Sequence, residues 1–334
     1  MPPFASVVVP TRNEEQTIAR CLASIGEQDY PAGRLEVLVV DGGSTDDTRQ
    51  LVERAAAGST VPIRLLDNPG RVVPAALNVA LAAAEGDFLV RVDGHSLPAP
   101  DYVSRCVQGN VEHDAALAGG WVRAVGIGPV SRAVAAAFAS PFSMGNAASW
   151  NPPSAPRDVA SVPCGSYRVE ALRAIGGFDE GQHANQDYEA NYRLRRAGER
   201  IVLLPDVWFD YIPRSTFRAL ARQFARYGYF KARTMAKHPA SVRPRHLVPA
   251  AGLLGLAVLA ITAIFFDAAR IALIVAAGGY AVGLVVASVT AGRRLDASAR
   301  LLLAPVLATM HLAWGAGNLA GLVRFVPVRK SLRG

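Results

Sequence analysis

The chain has few cysteines and lacks both common glycine-rich loops for binding phosphate. Its three cysteines, Cys21, Cys106 and Cys164, are odd in number and far apart, which argues against a disulfide framework and against paired metal ligands. We expect reduced thiols and a cytosolic compartment. Neither Gly-x-Gly-x-x-Gly nor Gly-Lys-Ser/Thr occurs, which argues against a dinucleotide dehydrogenase and a P-loop nucleotidase. Any phosphate must therefore be bound by another device.

Acidic residues are absent from a stretch that carries more cations than the whole net charge of +8. A solvated helix face would interleave acids with its bases, so the stretch predicts attraction to anionic lipid or phosphates, at about 1 kcal/mol per cation. Nucleic acid is the weaker alternative, because an apolar segment follows directly, and we expect no nucleic-acid partner. The nine cations are Arg214, Arg218, Arg222, Arg226, Lys231, Arg233, Lys237, Arg243 and Arg245.

Charge is also missing from long apolar segments near the end of the chain. Residues 249–266 are uncharged and, as a helix rising ~1.5 Å per residue, would extend about 27 Å, enough to cross most of a bilayer core. Residues 271–291 and 301–323 form two further segments. A buried soluble hairpin is the alternative, but three segments without amphipathic spacing favour membrane helices. The third segment is interrupted by Pro305, His311 and Asn318.

The cations of the short loops predict the orientation of these helices. The basic stretch precedes the first segment, and Arg293, Arg294 and Arg300 follow the second, so both flanks are expected in the cytoplasm with the N-terminal domain. The first strand begins almost at Met1, and no signal peptide is expected. If the third segment spans the membrane, the cations that follow it would lie outside the cytoplasm, against the rule that predicts the orientation. A re-entrant or interfacial helix is therefore the alternative for this segment. The cations are Arg324, Arg329, Lys330 and Arg333.

The N-terminal part alternates strand and helix patterns, which predicts right-handed crossovers and a mainly parallel α/β sheet. Apolar β-forming runs occupy residues 6–9, 37–40 and 88–92, and helical spacing follows at 17–25 and 47–57. Each of the three runs ends in polar residues, at the carboxyl edge where an open α/β sheet binds its ligand. These strand ends are therefore expected to converge on one crevice.

Three domains are predicted from this change of composition. The α/β domain occupies residues 1–212, a basic amphipathic interfacial segment occupies 213–247, and a membrane domain of two to three transmembrane helices occupies 248–334.

The triplet Asp93-Gly94-His95 follows the third apolar run. If its carboxylate and imidazole hold a divalent cation, the metal can bridge a diphosphate and neutralise a leaving nucleoside diphosphate. Oxygen ligation favours Mg²⁺ or Mn²⁺, and the imidazole favours Mn²⁺. A plain turn is the alternative.

Five motifs in their order along the chain resemble family 2 glycosyltransferases of the GT-A fold, over residues 4 to about 235. They are Pro10-Thr11-Arg12-Asn13-Glu14, the segment 39–46, Val92-Asp93-Gly94-His95, Asn185-Gln186-Asp187-Tyr188-Glu189 and Gln223-Phe224-Ala225-Arg226-Tyr227. Within the family, the chain is similar to bacterial membrane-associated enzymes of the succinoglycan type, which extend lipid-linked saccharides. That likeness rests on Asn68-Pro69-Gly70-Arg71, Ala76-Leu77-Asn78, Gly86-Asp87 and Arg91-Val92-Asp93-Gly94-His95.

The resemblance implies a donor site at the strand ends. The residues matched to contacts with the uracil and ribose of a UDP-sugar are Pro10, Arg12, Glu14 and Asp41, and Arg71 is counted with the donor-binding residues. Asp93 and His95 match the motif for the metal and the diphosphate.

The resemblance also implies a catalytic base, Asp187. The usual Glu-Asp pair of the family reads Gln186-Asp187 here, which leaves the second carboxylate on a predicted helix over 186–197. Such a group acts as general base if its pKa is raised toward the working pH. Glu189 is the second candidate, and helix capping by Asp187 is the alternative without catalysis.

Gln223, Arg226 and Tyr227 match the family's Q-x-x-R-W motif, with Tyr in place of Trp. The resemblance implies that they clamp the acceptor end and the diphosphate, to which the planar arginine fork is suited. An amphipathic interfacial helix is the alternative, and both can hold at once. Trp121 and Trp150 are assigned to core packing, with stacking on a sugar as the alternative.

The sequence thus predicts an inverting, metal-dependent hexosyltransferase that uses a UDP-sugar and forms a β-linkage. The expected acceptor is a polyprenyl-diphosphate saccharide at the cytoplasmic face of the plasma membrane, in exopolysaccharide or cell-envelope glycan biosynthesis. Two alternatives stay open. A sugar-1-phosphate nucleotidyltransferase would need a basic glycine-rich loop that residues 10–15 lack, and a non-catalytic nucleotide-sugar-binding membrane scaffold is suggested by Gln186 and Tyr227.

Overall fold

The computed structural model describes residues 1–144 and 148–326. The chain divides into two compact units, one formed by residues 1–123 and 148–210 and the other by residues 124–147 and 211–334. The division near residue 211 lies close to the predicted end of the α/β domain. Residues 124–147 group with the second unit, although the sequence analysis placed them in the first.

The first unit is built on an eight-stranded sheet in the order β3-β2-β1-β4-β7-β5-β8-β6. Strand β1 is parallel to β2 and β4, β2 is parallel to β3, and β7 is antiparallel to both β4 and β5. The sheet is therefore mainly parallel, as predicted. The strands are β1 (Ala5–Thr11), β2 (Leu35–Asp41), β3 (Ile63–Asp67), β4 (Phe88–Arg91), β5 (Leu117–Ala124), β6 (Arg157–Asp158), β7 (Ser166–Arg168) and β8 (Ile201–Tyr211).

Helices of the first unit cover both faces of this sheet. Alternate strand residues enter opposite cores, with Val7 and Val9 of β1 in one and Val8 in the other. The described α-helices of the chain are α1 (Ile18–Gly26), α2 (Thr48–Gly58), α3 (Val73–Ala83), α4 (Tyr102–Glu112), α5 (Pro129–Ala139), α6 (Pro141–Met144), α7 (Val169–Ala174), α8 (Gln186–Arg196), α9 (Phe217–Lys237), α10 (Pro244–Thr262), α11 (Asp267–Ala291) and α12 (Ala297–Phe325).

Strand β5 approaches its neighbours closely at two glycines. A Cβ at Gly119 would overlap the carbonyl oxygen of Cys164, and a Cβ at Gly120 would overlap the carbonyl oxygen of Val207 on β8. Any larger residue would force the strands apart. The two glycines therefore fix the backbone spacing in this half of the sheet.

Among the described residues of the second unit, three helices, α10, α11 and α12, are long and apolar enough to cross a membrane. Helices α11 and α12 contain the predicted segments 271–291 and 301–323, whereas α10 begins before the predicted segment 249–266 and ends within it, at Thr262. Helix α12 continues through Pro305, His311 and Asn318 without a break. Most of the surface of α10 and α11 is exposed, whereas α12 is partly buried within its unit. Of the cations predicted to follow the third segment, Arg324 lies in the last turn of α12, and Arg329, Lys330 and Arg333 lie outside the described residues.

Helices α9 and α12 touch backbone to backbone. A Cβ at Gly317 would overlap the carbonyl oxygen of Ala225, and a Cβ at Gly228 would overlap that of Trp314. The side-chain amide of Asn318 donates a 3.1 Å hydrogen bond to the carbonyl oxygen of Gly228. Small residues thus set the distance between the basic helix and the last apolar helix.

Candidate active site

The loops after β1 and β2 are joined into one piece at the carboxyl edge of the sheet. The backbone N–H of Asn13 donates to Ser44 Oγ, and the side-chain oxygen of Asn13 accepts from the N–H of Thr45, both at 2.9 Å. The N–H of Glu14 donates to Thr48 Oγ1 at 2.8 Å. Asn13 itself adopts a left-handed backbone conformation (φ 54°), which asparagine tolerates better than most residues.

Asp41 organises the second of these loops. Its buried carboxylate accepts from the N–H groups of Gly43 and Ser44 at 3.2 and 3.1 Å and forms a 2.9 Å ion pair with Arg49. Burial alone would raise the pKa of Asp41, but the hydrogen bonds from Ser44 and Arg49 outweigh burial and hold that pKa below its ordinary value. Asp41 is therefore ionised. Its contact with the nucleotide remains a prediction.

Two exposed arginines lie against the glycine turn that follows β2. A Cβ at Gly42 would lie 3.4 Å from the side chain of Arg12, and one at Gly43 would lie 3.3 Å from Arg71 Nε. Within residues 1–144 and 148–326, neither guanidinium has a hydrogen-bond or ion-pair partner. The fold thus brings together two donor-binding candidates from separate loops, as planar cations suited to phosphate oxygens.

The Asp93-Gly94-His95 turn rests on the end of β1. A Cβ at Gly94 would lie 3.4 Å from Thr11 Oγ1 and 3.6 Å from the carbonyl oxygen of Pro10. The exposed ring of His95 places Nδ1 3.1 Å from Glu14 Oε1. The structure therefore joins His95 to a residue that the sequence analysis assigned to nucleotide binding.

Arg91 belongs to a motif noted in the sequence but had no predicted role in the site. It is buried at the end of β4, and its Nε donates to Asp93 Oδ1 at 2.9 Å. Burial disfavours its charge, but the carboxylates of Asp93 and Asp187 raise the pKa of Arg91 above its ordinary value. The sequence pattern that indicates such a residue is an arginine within an apolar strand, two residues before a carboxylate.

Asp187 lies in the first turn of α8, which begins at Gln186 as predicted. Its Oδ1 accepts a 2.8 Å hydrogen bond from the N–H of Tyr188. Burial raises the pKa of Asp187, while the charge of Arg91 acts in the opposite direction. The N-cap position belongs to Asn185, so Asp187 is not the cap, and a carboxylate with a raised pKa suits a general base.

Glu189, the second candidate for the base, is occupied elsewhere. Its fully buried carboxylate forms a two-pronged ion pair with Arg193, at 2.7 to 3.0 Å. A group held in this way is poorly placed to accept a proton from a bound substrate.

The predicted metal ligands, Asp93 and His95, carry a carboxylate and an imidazole, which are ligand types that Mg²⁺ and Mn²⁺ accept. Within the described parts of the chain, no three His, Cys, Asp or Glu side chains form a group able to hold a metal. Mg²⁺ is commonly bound by one or two carboxylates together with substrate phosphates. Asp93 supplies one such carboxylate, His95 follows two residues later beside Glu14, and within the described residues the buried Thr11 hydroxyl next to the turn has no hydrogen-bond partner.

The remaining predicted residues lie on α9 in the second unit. The side-chain amide of Gln223 donates to the hydroxyls of Tyr211 and Tyr227 at 2.8 and 2.9 Å, and its buried oxygen has no hydrogen-bond partner in the described residues. Arg226 is exposed. The structure thus connects Gln223 with Tyr227, and the acceptor and diphosphate contacts of this motif remain predictions.

A mainly parallel sheet with polar strand ends and an acid at the start of α8 is the architecture expected of a glycosyltransferase of the GT-A type. Residues 6–176 match the model of Glycosyl transferase family 2. The chain is 32% identical over 328 residues to the succinoglycan biosynthesis protein ExoA of Rhizobium meliloti (strain 1021), covering 96% of this chain and 95% of that protein. The chain belongs to glycosyltransferase family 2, as its motifs predicted.

Two further similarities extend this result. A dolichyl N-acetyl-alpha-D-glucosaminyl phosphate 3-beta-D-2,3-diacetamido-2,3-dideoxy-beta-D-glucuronosyltransferase of Methanococcus voltae is 26% identical over 243 residues, covering 70% of this chain and 74% of that one. The solved mannosyltransferase PcManGT of Pyrobaculum calidifontis, in complex with GDP-Man and Mn²⁺, superposes with a TM-score of 0.61 at 25% identity, covering 96% of this chain and 88% of the other. The GT-A fold prediction is confirmed.

Proposed function

We propose that this glycosyltransferase moves a hexose from a UDP-sugar to a lipid-linked saccharide at the cytoplasmic face of the plasma membrane, with inversion and with a divalent metal. The observation that carries the proposal is the buried Arg91. Its Nε donates a 2.9 Å hydrogen bond to Asp93 Oδ1 after β4, and its charge lowers the pKa of Asp187 at the start of α8 against the effect of burial. A donor-side carboxylate and a candidate base therefore share one electrostatic environment.

Asp187 is the proposed base of a single displacement. It accepts the proton of the acceptor hydroxyl, whose oxygen attacks the anomeric carbon from the face opposite the diphosphate. The bond from that carbon to the diphosphate oxygen breaks, and its electron pair leaves with UDP. The sugar acquires oxocarbenium character during the displacement. One displacement inverts an α-linked donor into a β-linked product.

Asp93 and His95 are the proposed metal ligands, with Glu14 beside His95. A bound Mn²⁺ or Mg²⁺ would neutralise the charge that develops on the leaving diphosphate. The exposed arginines at the turn after β2, Arg12 and Arg71, bind the anionic part of the nucleotide in this proposal. Arg91 holds Asp93 in place through its 2.9 Å hydrogen bond.

The relatives support the donor and acceptor classes. The Pyrobaculum structure contains a nucleoside diphosphate sugar and Mn²⁺, and GDP-mannose is therefore the alternative donor. The Methanococcus relative is named for a dolichyl-linked substrate, which supports a lipid-linked acceptor. In this chain, the nine cations of residues 214–245 and the three apolar helices provide features suited to a membrane surface. Family membership favours glycosyl transfer over nucleotidyl transfer.

Nucleotide release tests the proposal. The detergent-purified protein is incubated with Mn²⁺, a panel of UDP- and GDP-sugars and a membrane lipid extract of the native cells. We expect UDP release from one donor that requires both metal and extract. Asp93→Ala should lower release about 100-fold or more, because the carboxylate that supports the diphosphate site is lost. Asp29→Ala, which removes an exposed carboxylate outside the proposed site, is the matched control.

Each other outcome changes a defined part of the proposal. Release of GDP alone would replace the donor. Equal transfer to a free oligosaccharide and to its lipid-linked form would contradict the lipid acceptor. No release from any donor by a folded wild-type protein would favour the non-catalytic scaffold.

A further inference from the structure

An exposed aromatic surface lies on β5 and β8 of the first unit. Trp208 is 39% exposed, and its ring centroid lies 6.4 Å from that of Trp121. The guanidinium of Arg123 lies 5.8 Å from the Trp208 ring centroid and forms two hydrogen bonds with Asp210, at 2.6 and 2.9 Å. We call Trp121, Arg123, Trp208 and Asp210 the Trp platform.

The Trp platform is held rigid by its own contacts. The indole N–H of Trp121 donates a 3.0 Å hydrogen bond to the carbonyl oxygen of Pro205, and the ring packs against a core of the first unit. Arg123 is fixed between Asp210 and Trp208. A large aromatic ring that is held in place yet open to solvent is pre-organised to bind a ligand, because little conformational freedom remains to be lost.

Sheet register places the Trp platform level with the candidate active site. Val90 of β4 and Ala118 of β5 both pair with Ser166 of β7. Because β4 and β5 are both antiparallel to β7, they run in the same direction. Arg91, the last residue of β4, and Gly119 of β5 each lie one residue further along, so their backbones are level and two strand spacings, about 10 Å, apart. Asp93 and Trp121 follow these two residues at the same interval along the chain.

The Trp platform also shares the face of the sheet that carries Arg91 and Asp93. Leu89 and Leu117 belong to the core that contains Ala190 of α8. Side chains alternate along a strand, so Arg91 and Asp93 lie on the face of Leu89, and Trp121 lies on the face of Leu117. The helix that carries Asp187 therefore packs on the same face as the Trp platform.

We propose that the Trp platform is a distal acceptor subsite, which binds a pyranose ring of the saccharide beyond the sugar that reacts at Asp187. This inference rests on the proposed function. The C–H face of a pyranose covers the exposed indole of Trp208, and the Arg123–Asp210 pair offers both a donor and an acceptor to the ring hydroxyls. The platform thereby favours acceptors that already carry more than one sugar.

The charges of the Trp platform favour a neutral saccharide over a lipid headgroup. Arg123 is balanced by Asp210, whereas a surface for anionic headgroups carries unbalanced cations, as residues 214–245 do. Trp208 also belongs to a strand of the sheet unit, not to an apolar helix. Headgroup binding is therefore treated as one outcome of the test.

The test compares acceptors by length. Full-length wild type, Trp208→Ala and Trp208→Phe are assayed in detergent with the active donor and the membrane lipid extract, and the lipid-linked saccharides are separated by number of sugars. For Trp208→Ala we expect kcat/KM to fall about tenfold for acceptors with more than one sugar, mainly through KM. Single-sugar acceptors, donor KM and donor hydrolysis without acceptor should be unchanged. Trp208→Phe should recover most of the loss, and Val111→Ala, at an exposed apolar residue of α4, is the matched control.

The other outcomes overturn the inference in distinguishable ways. An equal loss for every acceptor length, or a loss of donor hydrolysis, would assign Trp208 to the fold of the catalytic unit. A loss seen in nanodiscs but not in detergent would assign it to a lipid headgroup. Unchanged kinetics with all acceptors would remove the subsite. If wild type itself turned over no donor, the proposed function would fail, and this inference with it.

Discussion

The polar edge of the sheet in the first unit and the helix pair α9 and α12 in the second unit are held by different kinds of contact. In the first, charges and hydrogen bonds are concentrated at one edge of a sheet, where Arg91 lies buried beside Asp93 and the loop of Asp41 is saturated with hydrogen bonds. In the second, the backbones of α9 and α12 are in direct contact at glycines such as Gly228 and Gly317, where a side chain would not fit. Function in the first unit therefore depends on electrostatics, and geometry in the second depends on backbone contact.

The largest expected effect tests the electrostatic side of this comparison. Asp187→Asn keeps the shape of the side chain but cannot accept a proton, so kcat for transfer should fall about 1,000-fold. Donor KM and the melting temperature should stay near those of wild type. Asp29→Asn is the matched control, and kcat of the Asp187 variant within about tenfold of wild type would place the base elsewhere.

A second substitution separates charge from shape at Arg91. Arg91→Gln removes a cation that lowers the pKa of Asp187, so that pKa should rise and the acidic limb of the kcat–pH profile should move to higher pH. Loss of the buried partner of Asp93 should also cost about 3 kcal/mol of unfolding free energy. The measurements are kcat from pH 5 to 9 and the melting temperature.

Two controls accompany the Arg91 profile. Arg91→Lys keeps the charge and should leave the acidic limb near its wild-type position, while Arg54→Gln removes an exposed cation of α2. If the acidic limb of the kcat–pH profile of Arg91→Gln moves to lower pH or does not move, Arg91 does not act on the catalytic carboxyl.

The smallest effect tests the packing side. Gly317→Ala places a methyl group against the carbonyl oxygen of Ala225 and should lower the unfolding free energy by about 1 to 3 kcal/mol. Gly278→Ala, on α11 with open space around it, should be neutral or slightly stabilising. The melting temperatures of the two variants are measured in the same detergent. Equal melting temperatures for Gly317→Ala and Gly278→Ala would show that α9 and α12 are not held by backbone contact.

Local sequence pattern predicted much of the first unit. The valine runs of β1 and β2 gave strands buried on both faces, and α8 begins at the predicted residue, Gln186. The polar strand ends also meet as expected, with Asn13 bonded to Ser44 and Thr45. These features were predictable because each depends on neighbouring residues or on the direction of parallel strands.

Features that depend on distant partners were not predictable in this way. The importance of Arg91 follows from the approach of Asp187, far along the chain, and Glu189 was removed as a candidate only by its pairing with Arg193. Core packing is the prediction for Trp121, and no local pattern indicates that its neighbour is an exposed Trp208, which lies on another strand. The grouping of residues 124–147 with the second unit likewise depends on tertiary packing.

The close approach of β5 and β8 at Gly120 and Val207 has a consequence for how this scaffold can diversify. The spacing of the two strands is set by backbone atoms. Exposed side chains beside them, such as Trp208, therefore do not determine that spacing. Substitution of Trp208 should therefore change acceptor preference, if the proposed subsite is correct, without changing the spacing of the strands. The residues at the carboxyl edge of the sheet would stay the same while the exposed side chains on β5 and β8 change.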